Sequence, residues 1–218
     1  KFRRAIDFRP DFADAHSNLG MTLAAQKRTE EAESCFRRAL DFQPDHGPAA
    51  YNLATLLTTE GRHAEAIPIF RRIVAARPNL ADAHNNLGHA LLETGAEREA
   101  ELHFQTALGL TPNHADTLAN LGRINIRHNN LARAEDLLNR AVAINPRHAR
   151  TLSTLGVVML RTNRHAEAID LQRRALAIDP SLGEASANLA ILLMPTCAWA
   201  EYDTLIADPD GRADINCN

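Results

Sequence analysis

The sequence predicts an all-α protein built as a solenoid of helix–turn–helix repeats, and three observations predict it. Prolines recur at 10, 44, 78, 112, 146 and 180, each 34 residues after the last. A period of 34 belongs to stacked helical hairpins. The chain is 45% hydrophobic but only 5% aromatic, a balance rich in Ala and Leu that suits helices packed through small residues. Within the period, small and large apolar residues also return at fixed places.

With the proline set at position 32, five full repeats run 13–46, 47–80, 81–114, 115–148 and 149–182. In the first helix, position 7 is Leu19, Leu53, Leu87, Leu121 and Leu155, and recurs as Leu189. Position 8 is Gly20, Ala54, Gly88, Gly122 and Gly156, then Ala190. A helical glycine costs roughly 0.5–1 kcal/mol relative to alanine, so its return implies a close approach between the two helices. The turn follows at position 15, where Gly61, Gly95, Asn129 and Asn163 tolerate the left-handed conformation that ends a helix; Lys27 is the exception. In the second helix, position 20 is Ala32, Ala66, Ala100, Ala134 and Ala168, small residues placed to face the glycine. Position 24 is Phe36, Phe70, Phe104, Leu138 and Gln172, filling the space around the crossing. The proline closes the second helix, because it pushes the preceding residue out of the α region.

The flanks break the rule. Phe2, Ala5 and Pro10 occupy positions 24, 27 and 32, so residues 1–12 read as the end of a preceding, truncated repeat. Residues 183–194 read as the first helix of a sixth. There Pro195 interrupts, and 195–218 read as a capping or linker segment with Trp199, Tyr202 and Ile206 at helical spacing. A solenoid needs polar caps at its ends. The apolar Phe2, Ile6 and Phe8 are not such a cap, and a longer parent protein is expected.

Composition narrows the function. A formal charge of −3 gives no general attraction for nucleic acid, which requires a basic stripe. No apolar run is long enough to span a membrane. Ten histidines show no metal-ligand spacing, so no metal and no cofactor are expected. His46, His114 and His148 fall in turns of different repeats. Cys35, Cys197 and Cys217 form no disulfide framework, Cys35 reads as a small buried hydrophobe, and a reducing, cytoplasmic location fits. Arginine pairs at 37–38, 71–72 and 173–174 end second helices that begin with Glu30, Glu31, Glu65 and Glu167, which the helix dipole favours on a solvated outer face. No catalytic constellation emerges.

The opposite face of the first helices is the candidate binding surface. Positions 2, 6, 9 and 13 lie within about 60° on a helical wheel. Position 6 reads Asn18, Asn52, Asn86, Asn120, Thr154 and Asn188. Asparagine costs up to about 0.7 kcal/mol against alanine in a helix, so a row of them implies a gain. Its amide donates and accepts, and can pair with the backbone of an extended peptide whatever its side chains. Alternatively, the asparagines tie adjacent helices together. Beside them stand Asp14, Asp82, Asp116 and Arg150 at position 2, with His89 and Arg123 at position 9. The surface is thus acidic early and more basic late. Partners are therefore expected to be extended or disordered segments of other proteins.

Leu-Gly at 7–8, Ala at 20, a large apolar residue at 24, Ala at 27 and Pro at 32 together resemble the tetratricopeptide repeat (TPR). That resemblance covers residues 1 to 194 and implies a right-handed superhelix with a concave, protein-binding face. The phrases "ADAHSNLG" and "ADAHNNLG", with "ANLAILLMPTCAWAEYDTL" at 187–205, resemble more narrowly the repeats and linker junction of protein O-linked N-acetylglucosamine transferases. That implies ladder asparagines holding substrate backbones for a UDP-GlcNAc-dependent domain, which would need a few hundred further residues. Thr154 departs from the ladder. A stand-alone scaffold without enzyme activity is the alternative. A clamp for C-terminal carboxylates would want a cluster that Asn120, Arg123 and Arg150 form only in part.

Overall fold

The computed structural model describes residues 2–194, the side chain of Arg3 excepted. Expectations for Pro195, Cys197, Trp199, Tyr202, Ile206 and Cys217 lie outside the described residues. Every regular element among the described residues is helical. After α1 (Phe2–Phe8) come the pairs α2 (Ala13–Ala25) with α3 (Thr29–Phe42), α4 (Gly47–Thr59) with α5 (His63–Ala76), and α6 (Ala81–Glu93) with α7 (Glu97–Leu110). The series continues as α8 (Ala115–Arg127) with α9 (Leu131–Ile144), α10 (Ala149–Arg161) with α11 (His165–Ile178), and α12 (Gly183–Leu193). They form two compact units, one of α1–α7 and one of α8–α12. No helix among the described residues is long and apolar enough to cross a membrane.

The first helices α2, α4, α6, α8 and α10 end in the same motif. After α2, the Arg28 N–H donates to the Leu23 carbonyl (3.0 Å) and the Lys27 N–H to that of Ala24 (2.9 Å). This crossed pair satisfies carbonyls that a helix end otherwise leaves open, and it needs a left-handed residue between helices. Gly61 (φ 74°), Gly95 (φ 85°), Asn129 (φ 59°) and Asn163 (φ 61°) supply it. Lys27 is no exception in conformation: its φ is 59°. The tertiary contacts on both sides hold the turn, and the lysine adopts a backbone that its Cβ disfavours.

The close approach at the glycine is present in both units, but the atoms nearest the glycine belong to position 24 rather than to the alanine expected at position 20. A Cβ placed on Gly20 would lie 2.6 Å from Phe36 Cε1, and one on Gly88 2.7 Å from Phe104 Cε1. In the second unit, Gly122 faces Leu138 and Gly156 faces Gln172 in the same way. Phe36, Phe70, Phe104, Leu138 and Gln172 are all buried. Gln172 donates from Nε2 to the Ser153 carbonyl (3.0 Å), while its Oε1 has no partner.

The second repeat differs. Ala54 carries a methyl group where its neighbours have none, yet it and Phe70 are both fully enclosed. Position 27 is Ile73, where the other repeats have Ala39, Ala107, Ala141 and Ala175. With larger residues at both places, the α4 and α5 backbones approach less closely than those of the other four antiparallel pairs.

Ion pairs link successive second helices. Arg62, just before α5, donates from Nε to Glu65 Oε1 (2.7 Å) and from Nη1 to Glu33 Oε2 on α3 (2.7 Å). Arg164 repeats this in the second unit with Glu167 (2.7 Å) and Glu135 (2.6 Å). The hydrogen bond from Arg62 holds the Glu33 carboxyl below its usual range despite partial burial. Cys35 is half-buried. The sequence reading expected it to be buried.

Candidate peptide-binding face

In the first unit the candidate surface comprises α2, α4 and α6. Asn18 and Asn52 are half-buried, and neither side-chain amide makes a hydrogen bond among the described residues. Asn52 borders two cavities, of about 560 and 580 Å³. The first brings Met21, Asn52 and Asp82 together from three successive first helices. The second lies between α2 and α4 and is bordered by Met21, Thr55 and Thr59. The Thr55 hydroxyl is enclosed there without a hydrogen-bond partner.

Asn86 behaves differently. Its Nδ2 donates to the Tyr51 hydroxyl on α4 (2.9 Å), and its Oδ1 accepts from Asn85 (3.3 Å). Here the amide ties adjacent first helices together. Tyr51 packs edge-on against Phe70, with ring centroids 6.1 Å apart. Burial raises the Tyr51 phenol pKa, the Asp82 carboxylate raises it further, and the Asn86 bond opposes both.

Asp14 also has structural work. His46 Nδ1 accepts from the Ala49 N–H at the start of α4 (3.0 Å), so the proton sits on Nε2, which donates to Asp14 Oδ1 (2.9 Å). His46 is therefore a buried helix cap joining two repeats, a role its place in a turn did not reveal. His114 caps α8 in the same way, accepting from the Thr117 N–H (3.3 Å). Asp82 stays exposed. His89 is half-buried, stacks edge-on against His63 at 5.7 Å, and its Nε2 lies 3.8 Å from Glu93.

Two buried histidines were missed by the sequence reading. His16 and His84, both at position 4, place Nε2 on the carbonyls of Pro10 (2.8 Å) and Pro78 (3.0 Å). The signal was available in the shared phrases "ADAHSNLG" and "ADAHNNLG". Because His84 Nε2 must donate to the carbonyl, its Nδ1 accepts, and His103 Nδ1 donates to it at 3.0 Å. Burial lowers the His103 pKa, and His84 and Arg71 lower it further against the opposing charge of Glu99.

In the second unit, Asp116 is exposed and Asn120, Arg123 and Asn188 are half-buried on α8 and α12. Thr154, where the ladder lapses, returns its hydroxyl to the Arg150 carbonyl of its own helix (2.8 Å). Arg161 reaches the end of α8, donating to the Ile126 carbonyl (2.7 Å) and to Asn129 Oδ1 (2.8 Å). The first helices α2, α4 and α6 contain Asp14, Asp82 and Glu93 but no Lys or Arg, whereas α8 and α10 carry Arg123, Arg127, Arg150 and Arg161. The charge asymmetry read from the sequence therefore lies on these helices.

Known proteins share this fold at low sequence identity. The chain is similar to a structure of the APC/C hetero-tetramer Cut9–Hcn1, with a TM-score of 0.86 at 18% identity over 94% of this chain and 41% of that one. It therefore spans less than half of that neighbour's length. A second neighbour is PilF of Pseudomonas aeruginosa (TM-score 0.73, 19% identity, 88% of each chain). A third is YrrB, described as a TPR protein with an unusual peptide-binding site (TM-score 0.61, 20% identity, 85% of this chain and 95% of that one). Such identities establish the fold alone. No curated protein matches the chain significantly in sequence. Tetratricopeptide repeat models match residues 11–79 and, in overlapping segments, 51–115, 85–149 and 119–182. The chain belongs to the tetratricopeptide repeat family.

Proposed function

We propose that this chain is a protein-interaction scaffold whose first-helix faces hold extended segments of other proteins. The observation that carries this is Asn52, a half-buried asparagine at the border of two cavities whose amide makes no hydrogen bond among the described residues. No intramolecular partner occupies that amide, which leaves its donor and acceptor available to a ligand. The backbone of an extended peptide supplies both the donor and the acceptor an amide needs. Asn18 stands in the same position one repeat earlier. Asn120 and Asn188 extend the role to the second unit, with Asp82, Asp116, His89 and Arg123 setting the charge preference. The peptide-binding site named for YrrB is in keeping with this reading.

The narrower association with O-linked N-acetylglucosamine transfer rests on the sequence resemblance of the repeats and of 187–205 alone. In that reading the chain selects substrates for a sugar-transferring domain on the same polypeptide. A scaffold with no attached enzyme accounts equally well for the described residues.

The test is a binding titration with an unstructured, fluorescein-labelled nonapeptide of Gly, Ser and Lys. Replacing Asn18 and Asn52 together by Ala removes two amides, each worth about 0.5–1.5 kcal/mol. Binding should weaken about tenfold with helicity unchanged. Asn86→Ala should instead lower stability, because its amide joins α6 to α4. Unchanged affinity in the Asn18/Asn52 variant would return those residues to a structural role.

A further inference from the structure

We propose that the cavity of the second repeat takes a bulky apolar side chain of a bound protein segment, flanked by lysine or arginine, a role that rests on the peptide-binding reading above. The cavity lies beside α4 and α5, and one of its walls, Ile73 at position 27, departs from the alanine of the other repeats. The space is about 560 Å³. Leu40, Ile69, Ile73, Ala76 and Leu80 give it apolar walls, with Tyr51 closing one side. A concave, mostly apolar space with few polar groups is the usual form of a side-chain or ligand pocket.

Charge selects the occupant. On the first-helix side the cavity is bordered by Asn52 and the exposed Asp82. Across α2, α4 and α6 there are three carboxylates and no Lys or Arg. The cations that line the cavity, Arg72 and Arg77, belong to the second-helix side. Arg72 is bound to the Pro44 carbonyl (3.1 Å), and Arg77 packs over Gly47, where an added Cβ would meet its Nη2 at 2.9 Å. A segment lying along the first helices therefore meets negative potential, and opposite charge on that segment favours both encounter and register. The backbone would run past Asn18 and Asn52 while one side chain turns into the cavity.

The experiment uses three labelled nonapeptides of Gly and Ser, with Lys-Phe-Lys, Glu-Phe-Glu or Lys-Ser-Lys at their centre, followed by fluorescence anisotropy and by methyl NMR of the chain. Lys-Phe-Lys should bind at least about tenfold tighter than Lys-Ser-Lys, the scale expected for burying one aromatic side chain. It should shift the methyl signals of Ile69, Ile73 and Leu80. Ala76→Phe, at an exposed lining position, should remove the preference for Phe, and Asp82→Asn should narrow the preference for Lys over Glu. Methyl spectra of both variants confirm that they fold. Equal binding of the Phe and Ser peptides overturns the pocket. If the Asn18/Asn52 variant weakens both equally, the peptide-binding face survives that loss. Pocket methyl shifts that persist in the Asn18/Asn52 variant at unchanged affinity would keep the pocket and remove the ladder. Glu-Phe-Glu binding as tightly as Lys-Phe-Lys would overturn the charge assignment.

Discussion

Gln172→Leu should stabilise the second unit. Gln172 is 1% exposed and stands where other repeats place Phe or Leu. Its Oε1 has no partner, and an unpaired buried carbonyl costs about 1–3 kcal/mol. Against this, the substitution loses the bond from Nε2 to the Ser153 carbonyl, worth about 0.5–1.5 kcal/mol. Leucine is close to the same volume, and Leu138 already occupies the equivalent site over Gly122. Exchanging a polar for an apolar buried side chain adds a favourable transfer term. The net gain should be about 1–2 kcal/mol. Repeat arrays need not unfold in one step, so the gain should be measured locally by amide hydrogen exchange. Protection in α10 and α11 should rise about tenfold under conditions where exchange reports opening. Unchanged or lower protection would refute the reasoning, and would mean that Oε1 finds a partner in solution.

Lys27→Gly should also stabilise, by about 0.5–1 kcal/mol in urea titrations, because Lys27 sits at φ 59° where a Cβ is disfavoured. A loss of stability would show that the lysine side chain makes a compensating contact. The His84–His103 pair makes the first unit sensitive to acid. Burial holds the folded His103 pKa below its unfolded value, so the unfolded state takes up a proton first as pH falls. Its contribution is therefore complete above the unfolded pKa of about 6.5 and is lost progressively below it. Thermal melts from pH 7.5 to about 5 should show this decline, and it should flatten in His103→Leu. An identical pH dependence in the variant would rule the pair out as its source.

The helix pairs and their crossings were legible because they recur. Leu at position 7, Gly at 8, Ala at 20 and Pro at 32 repeat at one spacing, and each helix carries its own reason for being there. What the period could not reveal were the pairings between different positions. His84 meets His103 through positions 4 and 23, and Asn86 meets Tyr51 through 6 and 5 of different repeats. Asp14 reaches His46 through positions 2 and 34 of one repeat. No single column of the repeat contains both partners, so lining up the repeats conceals each pair. Lys27 was misleading for the opposite reason: its residue type departs from the column while its backbone does not. The cavity left a trace in Ile73, a wall residue that departs from the alanine of the other repeats.

The crossing between positions 8 and 24 has an evolutionary consequence. Its partners always lie in the same repeat: Gly20 with Phe36, Gly88 with Phe104, Gly122 with Leu138 and Gly156 with Gln172. A duplication or deletion that copies or removes one 34-residue unit carries a matched pair with it and leaves every other crossing intact. The Arg62–Glu33 and Asn86–Tyr51 bonds straddle a boundary, and such an event would split them. Array length can therefore drift without disturbing the interior of any repeat, while the order of the repeats is written in the contacts that join them.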